Sequence, residues 1–268
     1  MNSYLRSIVP FFRRAARNQF LGTGIVVAPR TVLTCAHVFA SSKDPDFLDK
    51  TFDTTFGADD LFSAREVCIV DGSRTYEPLR ICCRQVPDQP GEPVFFGDFC
   101  CVHFDQFPEL IPARLGTTRS LAGRKLRAAG FTSELLGPAA RLIPDMEIVQ
   151  GEHNAYTNAI QYVQVSGGLP EGFSGGAVFS GNKSPVVVGM LQTGRRTSAT
   201  SRFIAVDALL EFLASQCPGI ILRECGDDIA GERPSGPHKL PYRVHQTVQT
   251  GDIRGSRVVI KQVAKEQG

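Results

Sequence analysis

Residues 171–179 (EGFSGGAVF) read as a tight glycine turn that presents one serine, Ser174, and runs on into an apolar strand. A serine hydroxyl is a poor nucleophile until a base takes its proton and donors meet the developing oxyanion. Glycines on both sides let the backbone fold so that its own N–H groups, those of Gly172 and Ser174, converge on one point. Such a turn is an oxyanion hole made from main chain. A Gly/Ser turn of no chemical consequence is the plainer alternative, so the rest of the chain has to supply a base and a group that orients it.

The base candidate is His37. It closes residues 31–37 (TVLTCAH), a strand whose last small residues, Thr34-Cys35-Ala36, leave room for an imidazole at a barrel rim. A lone histidine there is usually structural, and it gains interest only from Ser174. The acid candidate is Asp98, which opens the apolar run 99–104 (FCCVHF). A carboxylate held at such an edge stays ionised only with a partner. Asp105, Asp88 and Asp71 are weaker rivals, because none of them opens an apolar strand.

The elements that must position these three groups are short. The chain has 268 residues, 26 of them Gly and 17 Pro, with no long helical heptads, which favours many strands and turns. Residues 20–27 (FLGTGIVV), 66–70, 77–83, 93–104, 125–131, 159–165, 186–191 and 203–206 are strand candidates. The first of these and residues 31–37 read as a hairpin of the kind that builds antiparallel barrels. Residues 41–60 are polar and irregular, a surface loop. Asp207 reads as the N-cap of a helix with Val206, Leu209, Leu210 and Leu213 on one face, stopped by Pro218-Gly219.

A net charge of +2 gives no electrostatic case for nucleic acid or a membrane surface. No apolar run reaches the roughly 18–20 residues that span a bilayer. Around Phe11-Phe12 the arginines follow the apolar residues, the reverse of a signal peptide, so no export is expected. The eight cysteines include the adjacent pairs Cys82-Cys83 and Cys100-Cys101. Neighbours on a strand point to opposite faces, which suits buried thiols better than a disulfide framework. No C-x-x-C spacing occurs, so no metal is expected; His103 near Cys101 reads as a solvent-facing histidine rather than a ligand. These features point to a reducing, cytoplasmic compartment. Composition changes after Cys225, where residues 226–240 look like a linker. Residues 242–263 are alternating and glycine-broken, able to pair as a hairpin, to dock on a partner's sheet edge, or to remain a tail.

Thr34-Cys35-Ala36-His37, Asp98 before an apolar strand, and Gly172-Phe173-Ser174-Gly175-Gly176, in that order, resemble the trypsin-like (chymotrypsin-fold) serine proteases. The resemblance covers about residues 20–217. It implies an all-β fold of two six-stranded antiparallel β-barrels with the site between them, a C-terminal helix and a short β-rich tail. The expected division is a lead-in over 1–19, the protease domain over 20–222, and a linker and tail over 223–268 that could serve a protein partner. By resemblance Ser174 is the nucleophile, His37 the general base and then acid, and Asp98 the group that fixes the imidazole tautomer. Gly172 and Ser174 form the oxyanion hole. Gln192, Thr193 and Gly194 form the edge that pairs with an extended substrate, and Gly168 floors the specificity pocket. No cofactor is implied, and the substrate is a protein or peptide.

Two departures refine the resemblance. Val38 follows His37 where secreted members usually carry a disulfide cysteine. Phe173 precedes the serine where secreted zymogens place an aspartate that receives a newly cut N-terminal amine, and a phenyl ring cannot pair with an ammonium. The pattern is nearer the unprocessed intracellular bacterial trypsin-like peptidases, including those encoded with defence or signalling modules. A serine endopeptidase is the leading reading, and a catalytically silent barrel acting as an interaction module the runner-up. An esterase of the α/β-hydrolase type fails, because there the serine precedes the acid and the histidine.

Overall fold

Strand runs of three to thirteen residues, rich in β-branched and aromatic side chains and punctuated by glycine, bury an apolar face only by pairing into sheets. The computed structural model describes residues 3–40, 61–71, 73–86, 95–117, 126–132, 141–146, 148–153, 161–166, 169–170, 172–180, 185–194 and 200–220. Within them the fold is all-β with one α-helix.

The first sheet holds β1 (Ile8–Arg13), β2 (Ala16–Ala28), β3 (Thr31–Thr34), β4 (Val67–Asp71), β5 (Arg74–Tyr76), β6 (Pro78–Val86) and β7 (Phe95–Phe104). Their order is β5-β4-β1-β2-β3-β7-β6. The second holds β8 (Leu126–Gly130), β9 (Arg141–Met146), β10 (Ile148–His153), β11 (Gln161–Ser166), β12 (Ala177–Ser180), β13 (Val186–Gly194) and β14 (Thr200–Ala205), in the order β10-β11-β14-β13-β12-β8-β9. Every pairing in both sheets is antiparallel, as an all-β trypsin-like architecture requires. Among the described residues each sheet has seven strands, where six were expected of each barrel. In the first sheet, the three-residue β5 lies at an edge beside β4.

One strand and one helix end differ from the sequence expectation in a way that matters. Residues 8–13, read as lead-in, form β1, which lies between β4 and β2. Its Pro10 sits where β1 has only β2 as a neighbour, so the missing N–H breaks no second ladder. At the other end, the helix α1 (Val206–Gln216) is capped by Ala205 without a side-chain hydrogen bond. Asp207 lies inside the first turn, where its charge faces the positive end of the helix dipole.

Residues 113–116 run between the sheets and are tied to both. Ala113 N–H donates to Val26 of β2 at 2.7 Å, and Gly116 N–H donates to Val187 of β13 at 2.8 Å. The main core takes Ile25, Leu33, Phe99 and Val102 from the first sheet, Phe39 from the turn after β3, and Ala177, Met190 and Ile204 from the second sheet. A smaller core under the second sheet gathers Leu126, Leu169, Phe173, Val188 and Phe203. The helix closes back onto the first sheet. Alternate residues of β7 share a face, and Phe99 meets Phe212 edge-on at 5.1 Å while His103 meets Gln216. The linker and tail expected over 223–268 lie outside the described residues.

Candidate active site

His37 stands in a 3-10 turn, Ala36–Phe39, directly after β3, and the whole turn is buried. Phe39 anchors it by packing edge-on against Phe11 of β1 at 5.0 Å. Asp98 is the fourth residue of β7, with β3 alongside. Its Oδ1 accepts from the His37 main-chain N–H at 3.0 Å and lies 2.8 Å from Nδ1; its Oδ2 lies 2.9 Å from the same ring nitrogen. In the neutral imidazole, a carboxylate at that distance pairs with the tautomer whose proton is on Nδ1, which leaves Nε2 as an acceptor. Nε2 is buried and makes no hydrogen bond to any described residue, Ser174 Oγ included. Of the rival acids, Asp105 and Asp71 are exposed, and Asp88 lies outside the described residues.

Ser174 comes from the second sheet, in the turn between Phe173 and β12, and is half-buried. Gly172 and Gly175 on either side have φ of 93° and 79°. Both values lie in the left-handed region that favours glycine. A Cβ on Gly175 would collide with the Thr23 carbonyl and the Thr34 hydroxyl. Among the described residues, nothing accepts the N–H of Gly172 or of Ser174. Phe173, between them, is 2% exposed and packs into the smaller core against Gly130.

Two elements bring the halves together. Thr23 of β2 is fully buried; its N–H donates to the Ser174 carbonyl at 2.9 Å, and its hydroxyl donates to the Gly172 carbonyl at 2.9 Å while accepting from Phe131 N–H. The Thr34 hydroxyl in turn donates to the Thr23 carbonyl at 2.6 Å. On β13, the Leu191 carbonyl accepts Gly175 N–H at 2.8 Å and the Cys35 thiol at 3.1 Å, so the residue after the serine and the residue two before the histidine share one acceptor. The next residue, Gln192, is fully buried and donates from Nε2 to Asp98 Oδ2 at 2.8 Å.

Sequence reasoning assigned Gln192 with Thr193 and Gly194 to a substrate-pairing edge and did not anticipate the side-chain bond to Asp98. The main chain of 192–194 pairs with β14 on one side through Thr193 and Gly194, whereas β12 pairs with β13 only as far as Met190. Among the described residues, the opposite edge of 192–194 carries no strand. Thr23 was also missed, since a threonine inside a glycine-rich strand has no signature of its own. Gly168 and Glu171 lie outside the described residues. Arg202 is half-buried on β14, in register with Gln164 and Thr193.

Cys35 Sγ, a His37 ring nitrogen and an Asp98 oxygen fall within 4.8 Å of one another. They make a poor metal seat. Burial first, and then the Asp98 charge, push the Cys35 thiol well above its usual range, and its proton is engaged by Leu191. A metal needs the thiolate.

The sequence matches the trypsin-like peptidase domain family over residues 22–190. The chain belongs to that family. By class it is therefore a serine endopeptidase. No curated protein matches its sequence. Among solved structures it is similar to the Rv3671c protease from M. tuberculosis. The active form has 17% identity and a TM-score of 0.51 over 84% of this chain and 86% of that one. The inactive form has 17% identity and a TM-score of 0.50 over 79% and 89%. At such identity the likeness concerns the fold alone.

Proposed function

We propose that this peptidase cuts peptide bonds by acyl transfer through Ser174, His37 and Asp98. The observation that carries the reading is the convergence on β13. The Leu191 carbonyl ties down both the serine turn and the strand end before His37, and Gln192 holds the acid that orients the imidazole.

In the proposed cycle, Ser174 Oγ adds to the scissile carbonyl carbon and its proton passes to His37 Nε2. Asp98 keeps Nδ1 protonated and stabilises the imidazolium. The carbonyl oxygen becomes an anion that takes the Gly172 and Ser174 N–H groups. The C–N bond then breaks as Nε2 returns the proton to the departing amine, leaving an acyl-serine. Water repeats the sequence to release the acid. Apo contacts between nucleophile and base are often loose and close when substrate binds, which accommodates the unbonded Nε2.

Gly168 as pocket floor would offer no carboxylate, so a Lys or Arg side chain would be buried unpaired at a cost of several kcal/mol. A small or medium apolar side chain before the scissile bond is the proposed preference, with Gln192, Thr193 and Gly194 giving main-chain pairing to the substrate. A peptide-library profile dominated by Lys or Arg would overturn this and point to Glu171; one dominated by Asp or Glu would point to Arg202. The proposed setting is the cytoplasm, as the protease effector of a bacterial defence or signalling system, with residues 223–268 available to a partner.

A fluorophosphonate probe tests the chemistry. The full-length chain should be labelled on Ser174, and Ser174→Ala and His37→Ala should both abolish the label. A folded chain that takes no label would favour the silent interaction module.

A further inference from the structure

Away from the serine, His103 uses both ring nitrogens inside the fold, on the Thr31 hydroxyl at 3.3 Å and Gln216 Oε1 at 3.2 Å, rather than facing solvent as expected. The arginines at the turn between β1 and β2 are placed differently. Arg13, Arg14, Ala15, Arg65 and Glu66 line a cavity of about 350 Å³. The Arg14 main-chain N–H donates to the Glu66 carbonyl at 2.7 Å and fixes the hairpin turn against the 3-10 turn Ala64–Glu66. The carboxylate of the cavity is already engaged: Glu66 Oε2 accepts from the Ser63 N–H at 2.9 Å and from its hydroxyl at 2.8 Å. Arg14 Nη2 pairs with Glu77 at 2.8 Å. Arg13 lies over the Phe62 ring, 4.9 Å from its centroid, a contact that holds the guanidinium but supplies no anion. Neither Arg13 nor the exposed Arg65 has an ion-pair partner among the described residues.

This cavity and the serine turn sit at two ends of one ribbon. β2 holds the serine turn through Thr23, whose N–H donates to the Ser174 carbonyl. Three residues earlier the Phe20 ring lies against Gly172, where a Cβ would come within 2.3 Å of Phe20 Cε1. Phe20 is in register with Phe12 of β1, and the two rings meet edge-on at 5.8 Å. Beyond them Arg13 is in register with Ala16, where the hairpin turns. β13 lies on the other side of the serine, with the Leu191 carbonyl on Gly175 N–H. Under the proposed function, a substrate whose acyl part pairs with 192–194 sends its leaving-group part past Gly172 and Phe20, towards the arginines.

We propose that the cavity of Arg13, Arg14 and Arg65 binds an acidic stretch of the protein substrate on the leaving-group side of the cut bond, a reading that rests on the proposed function. Thr23 and Ala16 are seven residues apart on β2. At about 3.3 Å per residue of strand that is about 23 Å, so an extended substrate reaches the cavity about five to eight residues past the scissile bond. Carboxylates suit the site, because a guanidinium presents forked donors that match their two oxygens. Between the serine and the cavity, the half-buried Phe12 and Phe20 offer an apolar wall to the intervening side chains.

Two measurements on the full-length chain test this, and the first is blind to catalysis. Rhodamine-labelled hexaglutamate is titrated with the Ser174→Ala chain and followed by fluorescence anisotropy, beside hexaglutamine. Hexaglutamate alone should bind, and more weakly as salt is raised. Binding should vanish in Arg65→Glu and survive in Arg65→Lys, with the melting temperature of both unchanged. The second measurement compares two peptides with one cleavage site, carrying Glu or Gln at the downstream positions. Two exposed ion pairs favour the acidic peptide by about twofold to thirtyfold in kcat/KM, through KM. In Arg65→Glu that preference should disappear or reverse. An active wild-type chain that treats both peptides alike would overturn the proposal, as would hexaglutamate binding unaltered by Arg65→Glu. Tighter binding of a rhodamine-labelled oligothymidylate would overturn it too, assigning the cavity to nucleic acid. A chain that binds hexaglutamate through Arg65 but takes no fluorophosphonate label would retain the acidic-peptide site and overturn the acyl-transfer reading instead.

Discussion

Asp98 is the most heavily bonded side chain of the site, and its partners separate two kinds of effect. The His37 ring and main chain and the Gln192 amide all donate to it. Under the proposed mechanism, Ser174→Ala should cost on the order of 10⁴-fold or more in rate, and adding His37→Ala should cost little beyond that, because the three groups act as a unit. Asp98→Asn should cost on the order of 10⁴ by leaving the imidazole in the wrong tautomer. Steady-state hydrolysis of a peptide substrate checks all three, and near-normal turnover by Asp98→Asn would move the orienting role to another acid. Gln192 belongs to a milder class. Gln192→Met keeps the bulk and removes the donor. A hydrogen bond to a charged group contributes about 1.5–3 kcal/mol, so kcat should fall roughly tenfold to a hundredfold with KM little changed. A raised KM with kcat unchanged would instead mean that the residue meets substrate directly.

The serine turn depends on β2 more than on its own sequence. Thr23 makes three hydrogen bonds to 131, 172 and 174, all on the opposite side of the site. Thr23→Val conserves shape and leaves the Gly172 carbonyl and the Phe131 N–H unsatisfied, at about 1–3 kcal/mol for each buried group. A lowered melting temperature together with reduced fluorophosphonate labelling is the expected result; loss of neither would mean the turn is held without it. Gly175→Ala should do worse, since strain at a positive φ adds to collision with Thr23 and Thr34. This contrast marks what sequence could convey. The glycines around Ser174, the strand before His37 and the acid opening an apolar run are local patterns, each legible in a few residues. The bonds that Thr23 and Gln192 make connect residues 149 and 94 positions apart, and no local pattern encodes a pairing at that distance. β1 was missed for a related reason: Phe11-Phe12 followed by arginines looks like a terminal lead-in until β2 and β4 flank it. β9 was also missed, its apolar pattern cut by Pro144.

At the scale of the molecule, the N-terminus argues against activation by cleavage. In a zymogen, a new terminal amine swings into the site and pairs with a carboxylate beside the nucleophile. Here the residue beside Ser174 is Phe173, sealed in the smaller core. Residues 8–13 of this chain are built into the fold. Ile8, Val9 and Phe11 of β1 are 4%, 3% and 0% exposed, and Phe39, which anchors the turn of His37, packs on Phe11. Burying each such side chain stabilises by about 1.5–3 kcal/mol. Removing residues 1–13 therefore removes several kcal/mol from a domain whose whole stability is about 5–15 kcal/mol. The full-length chain should accordingly turn over peptide while its intact mass is unchanged, and the truncated chain should lose its cooperative melting transition rather than gain activity. Turnover that appears only after the first residues are removed would reverse this account. A full-length chain that stays silent until another molecule is added would transfer the switch from the N-terminus to a partner.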